Sequence, residues 1–153
     1  MADNDSFIGK YMGNYRLVTR LDSGSYGSVY TGKHRIFTDD PVVAIKILHA
    51  HLSSSYEHDK FIQEAQLLKK LNHPHILPVR DAGIQDGLPY IVTEFASRGS
   101  LHDRLYQQPD QSLPLEEALT ILSQIGDALA YAHQQHVVHR DLKPANIFFN
   151  SKG

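Results

Sequence analysis

The sequence predicts an α+β chain, and three observations predict it. Alternating or β-branched runs fill most of the first 95 residues, one capped amphipathic helix interrupts them, and a long apolar stripe at helical spacing follows. The 153 residues are 41% hydrophobic and 21% charged, an ordinary globular balance that sets one domain as the prior.

Residues 1–13 carry Asp3, Asp5 and Lys10 without a long apolar run, so they read as a short polar tail, neither secretory signal nor membrane span. Residues 15–21 alternate apolar and polar, 23–27 form a small-residue turn, and Val29 with Tyr30 resume an extended pattern, which together make a hairpin. After Asp39-Asp40-Pro41, residues 42–48 form a third strand of β-branched and apolar residues broken only by Lys46. Ser54 and Glu57 make a capping box, and Phe61, Ala65 and Leu68 recur at helical spacing, which predicts a helix over 55–71 ended by Asn72 and Pro74. Residues 76–79 and 89–95 read as two further strands, joined through the turn signals Gly83 and Asp86-Gly87. The count is five antiparallel strands and one helix.

Beyond Ala96 the pattern changes. Ser100 caps a short helix to Tyr106, and 107–112 is a polar loop. A long helix over about 115–135 carries the stripe Ala118, Leu122, Ile125, Leu129 and Ala132, with Glu116 and Glu117 suited to its first turn. That stripe needs a partner surface.

A formal net charge of -2 offers no general attraction to nucleic acid or an anionic membrane, and Lys69-Lys70 is too short to act as a basic patch. The absence of cysteine excludes disulfides, Cys-type zinc sites and a Cys nucleophile, and is compatible with a cytoplasmic location. Ten histidines include His133, His136 and His139 at three-residue spacing and His73 with His75, yet neither set makes a convincing metal site.

Three constellations carry chemistry. Gly24 and Gly27 lie in a strand-turn-strand unit, where a missing Cβ lets backbone N–H groups approach phosphate; a hairpin needing positive φ explains them as well. A dinucleotide fingerprint fails, because Val29-Tyr30 continues as strand and Asp22 stands where the first glycine belongs; a Walker A match fails because His34 replaces the Ser or Thr. Lys46 interrupts an apolar strand and Glu64 shares a helix face with Phe61 and Leu68, so the economical expectation is a buried ion pair between them. Last comes His139-Arg140-Asp141-Leu142-Lys143-Pro144-Ala145-Asn146, directly after the long helix and before the extended 147–149.

With Val43-Ala44-Ile45-Lys46 and the glycine turn upstream in the same order, this string resembles the eukaryotic-type protein kinases, and Asp141-x-Lys143-x-x-Asn146 resembles the serine/threonine subclass. The resemblance runs from about Asn14 to Gly153. It implies a small lobe and hinge over 14–96, the five-stranded sheet with its helix, and the start of a helical large lobe over 97–153.

The same resemblance implies transfer of the γ-phosphoryl of MgATP to protein Ser or Thr hydroxyls. The turn around Gly24 and Gly27 would cover the phosphates, and Lys46, oriented by Glu64, would hold the α- and β-phosphates. Val29 and Ala44 would enclose adenine from above and Phe148 from below, Thr93 would stand at the back, and Glu94 to Ala96 would form the hinge. Asp141 would act as the base, a role that suits a carboxylate able to accept a hydrogen bond at neutral pH. Lys143 would stabilise charge on the moving phosphoryl group and Asn146 would bind magnesium. His139 and Leu68 would pack internally.

Two departures carry expectations of their own. Asp22 in place of the loop's first glycine is expected to weaken nucleotide binding. The sequence stops before an Asp-Phe-Gly, so residues 1–153 alone are expected to bind ATP at best and turn over little. The competing readings are a nucleotide sensor without chemistry, and an interaction module that self-associates through the uncovered stripe on 115–135. In the kinase reading, Lys46, Glu64, Asp141 and Asn146 converge on one cleft.

Overall fold

The computed structural model describes residues 6–152. The chain folds as two compact units. One takes the chain up to Lys70 together with Pro78–Phe95; the other takes Leu71–Leu77 and everything from Ala96 onward. The sequence boundary near residue 96 therefore coincides with the second crossing, whereas the short excursion of 71–77 into the second unit carries no compositional signal.

The first unit is an antiparallel sheet of six strands: β1 (Tyr11–Met12), β2 (Tyr15–Ser23), β3 (Gly27–His34), β4 (Val43–Leu48), β5 (Val79–Gln85) and β6 (Leu88–Glu94). Their spatial order is β1-β2-β3-β4-β6-β5. Helix α1 (Ser55–Lys70) connects β4 to β5. The expected count of five is short by one, because β1 lies inside the segment read as a tail. Two residues have no periodicity to read, and what holds them is distant: Gln85 accepts from the Gly13 N–H at 2.9 Å and donates to the Tyr11 carbonyl at 2.7 Å. Met12 thereby joins the core, 4% exposed.

One face of the sheet makes that core. Leu17, Tyr30, Ile45, Ile47, Tyr90 and Val92 are buried against one another on alternate positions, as a one-sided antiparallel sheet requires. The β5–β6 hairpin turns through Asp86 and Gly87, both at positive φ (52° and 78°), the geometry of a two-residue turn. Gly83, expected as a turn residue, is a strand residue instead. It faces Tyr90, whose ring lies where a Cβ would need to go.

Helix α1 starts at the expected box: Ser54 Oγ accepts from the Glu57 N–H at 3.2 Å, and Glu57 accepts from the Ser53 and Ser54 N–H groups at 2.9 and 3.1 Å. It packs on β5 and buries Ala65.

In the second unit, α2 (Leu101–Tyr106) carries the expected Ser100 cap in a full box with Asp103. Helix α3 (Leu115–Gln134) is followed by a 3₁₀ turn at Pro144–Asn146. The packed face of α3 keeps four of the five expected stripe positions, with Ala132 buried and Ala118, Ile125 and Leu129 half-buried, and departs from it at Leu122. Ile121, Ala128 and Ala132 are buried and Ile125 packs beside Leu101 and Phe149, whereas Leu122 is 63% exposed. One residue is about 100° of helix, so Ile121 and Leu122 cannot both point inward on a narrow face. Arg104 ties the unit together: it pairs with Glu117 at 2.6 Å and lies 3.5 Å over the Phe149 ring.

Candidate functional site

The first unit presents its other sheet face. Directly paired residues share a face, and the register runs Val29↔Lys46↔Ile91 across β3, β4 and β6, and Thr31↔Ala44↔Thr93 one step along. Val29, Ala44 and Thr93 are half-buried and Lys46 is exposed. Four of the expected nucleotide residues are therefore brought onto one open surface. The sequence reading missed Thr31 and Ile91 on it, which the period of two in β3 and β6 could have supplied.

The glycine turn stands at the end of that face, between β2 and β3. It closes with Gly24 N–H donating to the Gly27 carbonyl at 2.9 Å. Neither glycine has positive φ, so that explanation for them is overturned. Gly27 is needed because a Cβ there would stand 2.6 Å from the Ile47 carbonyl oxygen. Gly24 has open space around it, with nothing closer to an added Cβ than 4.0 Å. The fold makes no demand for glycine at 24. The Asp22 carboxylate accepts from its neighbour's N–H, that of Ser23, at 2.8 Å.

The expected buried ion pair is not formed. Lys46 and Glu64 are both exposed, and no ion pair joins them among the described residues. Strand β4 is buried on Ile45 and Ile47 only, so Lys46 sits on the wet face and needs no partner. Glu64 lines a cavity of about 250 Å³ with Leu48, Leu52, Phe61 and Pro89, on a helix that packs on β5. Glu94 is engaged by Arg80, and Thr93 Oγ1 donates to the Glu94 carbonyl at 3.0 Å. Ala96 begins the second unit's main segment and is half-buried.

In the second unit, the loop after α3 gathers Asp141, Lys143 and Asn146. The Asn146 amide nitrogen donates to the Asp141 carbonyl at 2.8 Å and to its carboxylate at 3.1 Å, and Lys143 Nζ lies 3.5 Å from the same carboxylate oxygen. The 3₁₀ turn at Pro144–Asn146 brings residue 146 back over 141. Arg140 occupies the left-handed region at φ 66°, which swings Asp141 out of line with the preceding chain. The Asp141 N–H donates to His139 Nδ1 at 3.2 Å.

His139 is thus an exposed ring that supports the loop, not the interior residue expected, and Leu68 is only half-buried. Phe148 is 51% exposed, its backbone paired with Ser100. Among the described residues no group of three or more His, Asp or Glu could hold a metal ion.

Comparison with known proteins places these features in a family context. Residues 15–153 match the model described as the protein kinase domain. The chain is 42% identical over 126 residues to the mouse serine/threonine-protein kinase Nek4, covering 82% of this chain and 16% of that protein. It is 37% identical over 148 residues to the serine/threonine-protein kinase PrkC of Bacillus subtilis, covering 95% of this chain and 22% of that protein. The PknI kinase domain of Mycobacterium tuberculosis superimposes with a TM-score of 0.80 at 31% identity, over 94% of this chain and 58% of that one. The chain thus spans about a fifth of the length of these curated relatives.

Proposed function

The chain belongs to the protein kinase domain family, and from that premise we propose that the protein transfers the γ-phosphoryl of MgATP to serine or threonine hydroxyls of protein substrates. The observation that carries this reading is the exposed Asp141, whose backbone carbonyl and carboxylate each accept one donation from the Asn146 amide, with the Lys143 ammonium beside the carboxylate. A surface pair of this kind contributes little to stability, so its arrangement is better explained by chemistry.

The assignments follow from what each group can do. Gly24, in open space at the turn, lets backbone approach phosphate oxygens. Lys46 offers a cation that is unpaired among the described residues, on the same sheet face as Val29, Ala44 and Thr93, which supply the apolar surface an adenine ring needs. Phe148 is assigned to the other side of the ring. Backbone groups of Glu94 to Ala96 take its polar edge.

The substrate hydroxyl oxygen forms the new bond to the γ-phosphorus as the bond to the β,γ-bridging oxygen breaks and ADP leaves. Asp141 takes up the hydroxyl proton, and Lys143 balances charge on the transferring group. Magnesium, when bound, neutralises phosphate charge. Asn146 fits such a hard cation, because its nitrogen is committed to Asp141 and its side-chain oxygen is the atom left to offer.

The test is Asp141→Asn in the full protein. Phosphoryl transfer is expected to fall by about a hundredfold or more with ATP affinity unchanged. Equal activity would overturn the base assignment, and no activity in the parent protein would favour the nucleotide-sensor reading. The need for ATP supports a cytoplasmic location, to be tested by fractionation. Among the described residues no helix is long and apolar enough to cross a membrane. A second reading, self-association, is favoured by Leu115, Leu119 and Leu122, 72%, 56% and 63% exposed along α3. Concentration-independent sedimentation would dismiss it.

A further inference from the structure

The glycine turn is gripped from outside by a residue that the kinase reading does not use. His49 is the first residue after β4. Its backbone N–H donates to the Tyr26 carbonyl at the turn's tip, at 3.0 Å, and its ring Nε2 hydrogen-bonds Ser28 Oγ at 2.9 Å. Ser28, only 7% exposed, in turn hydrogen-bonds Ser23 Oγ at 3.2 Å on the opposite strand.

The main-chain ladder ends at Ser23↔Ser28 on one side and Gly27↔Leu48 on the other. Beyond it residues 24–26 have the single internal bond from Gly24 to Gly27. The height of the turn above the sheet is therefore set by the His49 N–H bond to the Tyr26 carbonyl together with the side-chain chain His49–Ser28–Ser23, which joins β4, β3 and β2 at the point where their own pairing stops. A buried hydroxyl with two partners has one rotamer that satisfies both, and losing one partner frees it to turn.

We infer that His49 is a positioning residue for phosphate recognition: through Ser28 it holds the glycine turn at the height from which its backbone meets the nucleotide's phosphates. This rests on the proposed nucleotide site. His49 is exposed and its ring packs no core, so its replacement leaves the sheet intact.

The test compares MgATP with adenosine, which lacks phosphates, as ligands of the full chain by calorimetry. His49→Ala is expected to weaken MgATP about three- to tenfold, the worth of one hydrogen bond, and to leave adenosine unchanged. His49→Gln, whose amide nitrogen reaches the position of Nε2, is expected to restore MgATP binding. In a Ser28→Ala background the His49→Ala effect is expected to vanish, since the path is already cut. Equal weakening of both ligands, or no change in either, overturns the inference while leaving the nucleotide site standing. A parent chain that binds neither ligand overturns the site and the inference together.

Discussion

The Asn146 side-chain amide donates at once to the Asp141 backbone carbonyl and to the Asp141 carboxylate. One planar group thus fixes both the backbone position of residue 141 and the direction of its side chain. Asn146→Ala removes both restraints, and with them the oxygen assigned to magnesium. Turnover in the full protein is expected to drop about 10- to 100-fold, the scale seen when a supporting partner of a reactive group is lost. Steady-state kinetics at saturating MgATP checks it; an unchanged kcat would show that Asp141 needs no such support.

Lys46 stands on the open face of β4 with no ion pair among the described residues, so its removal separates binding from stability. Lys46→Met is expected to change unfolding free energy by no more than about 0.5 kcal/mol, as for an ordinary surface position. MgATP affinity is expected to fall at least about tenfold, because a cation facing a polyanion is lost. Denaturant titration and calorimetry on the same samples check both halves. A large loss of stability would mean that Lys46 has a structural partner after all.

That position also shows how far the sequence could be read. The strand at 43–48 was legible from its β-branched residues, but the inference that its lysine must be buried treated an apolar run as two-sided. The register with β3 and β6 decides which side is wet, and register is a long-range property. The loop bearing Asp141, Lys143 and Asn146 was legible because its spacing is local. The β1 strand was not, since Gln85, 72 residues from Gly13, holds it. Nor was the Ser28–His49 contact, for two polar residues 21 apart carry no periodic signal.

Gly83 and Tyr90 test the packing of the β5–β6 pair. An alanine Cβ at 83 would meet the Tyr90 hydroxyl oxygen at 2.6 Å and ring carbons at 2.8 and 2.9 Å, on a core side chain that is 6% exposed. Gly83→Ala is expected to destabilise by about 1–3 kcal/mol, the range for overpacking. Tyr90→Phe removes the nearest clashing atom and leaves the ring, so the double variant is expected to recover part of that loss. Equilibrium unfolding of the four-member cycle measures the coupling; strict additivity would place the Tyr90 ring elsewhere.

The acid side of the stability curve is set in part by the helix caps. The Ser53 N–H, followed by the Ser54 N–H and hydroxyl, holds the Glu57 carboxyl below the usual carboxylate range; the Ser100 N–H and hydroxyl do the same for Asp103. A carboxyl whose folded value is depressed binds fewer protons folded than unfolded, so stability rises with pH across that interval. The contribution is complete above the unfolded value, about 4.5 for a glutamate, and disappears as pH falls through the lower folded value. Glu57→Gln cannot ionise. Its deficit relative to the parent is therefore expected to be largest near neutral pH and to shrink as pH falls below about 4.5. Denaturant midpoints for parent and variant at pH 7 and pH 3 give the comparison. A deficit of the same size at both would show that the box acts through geometry alone, with no part played by the charge.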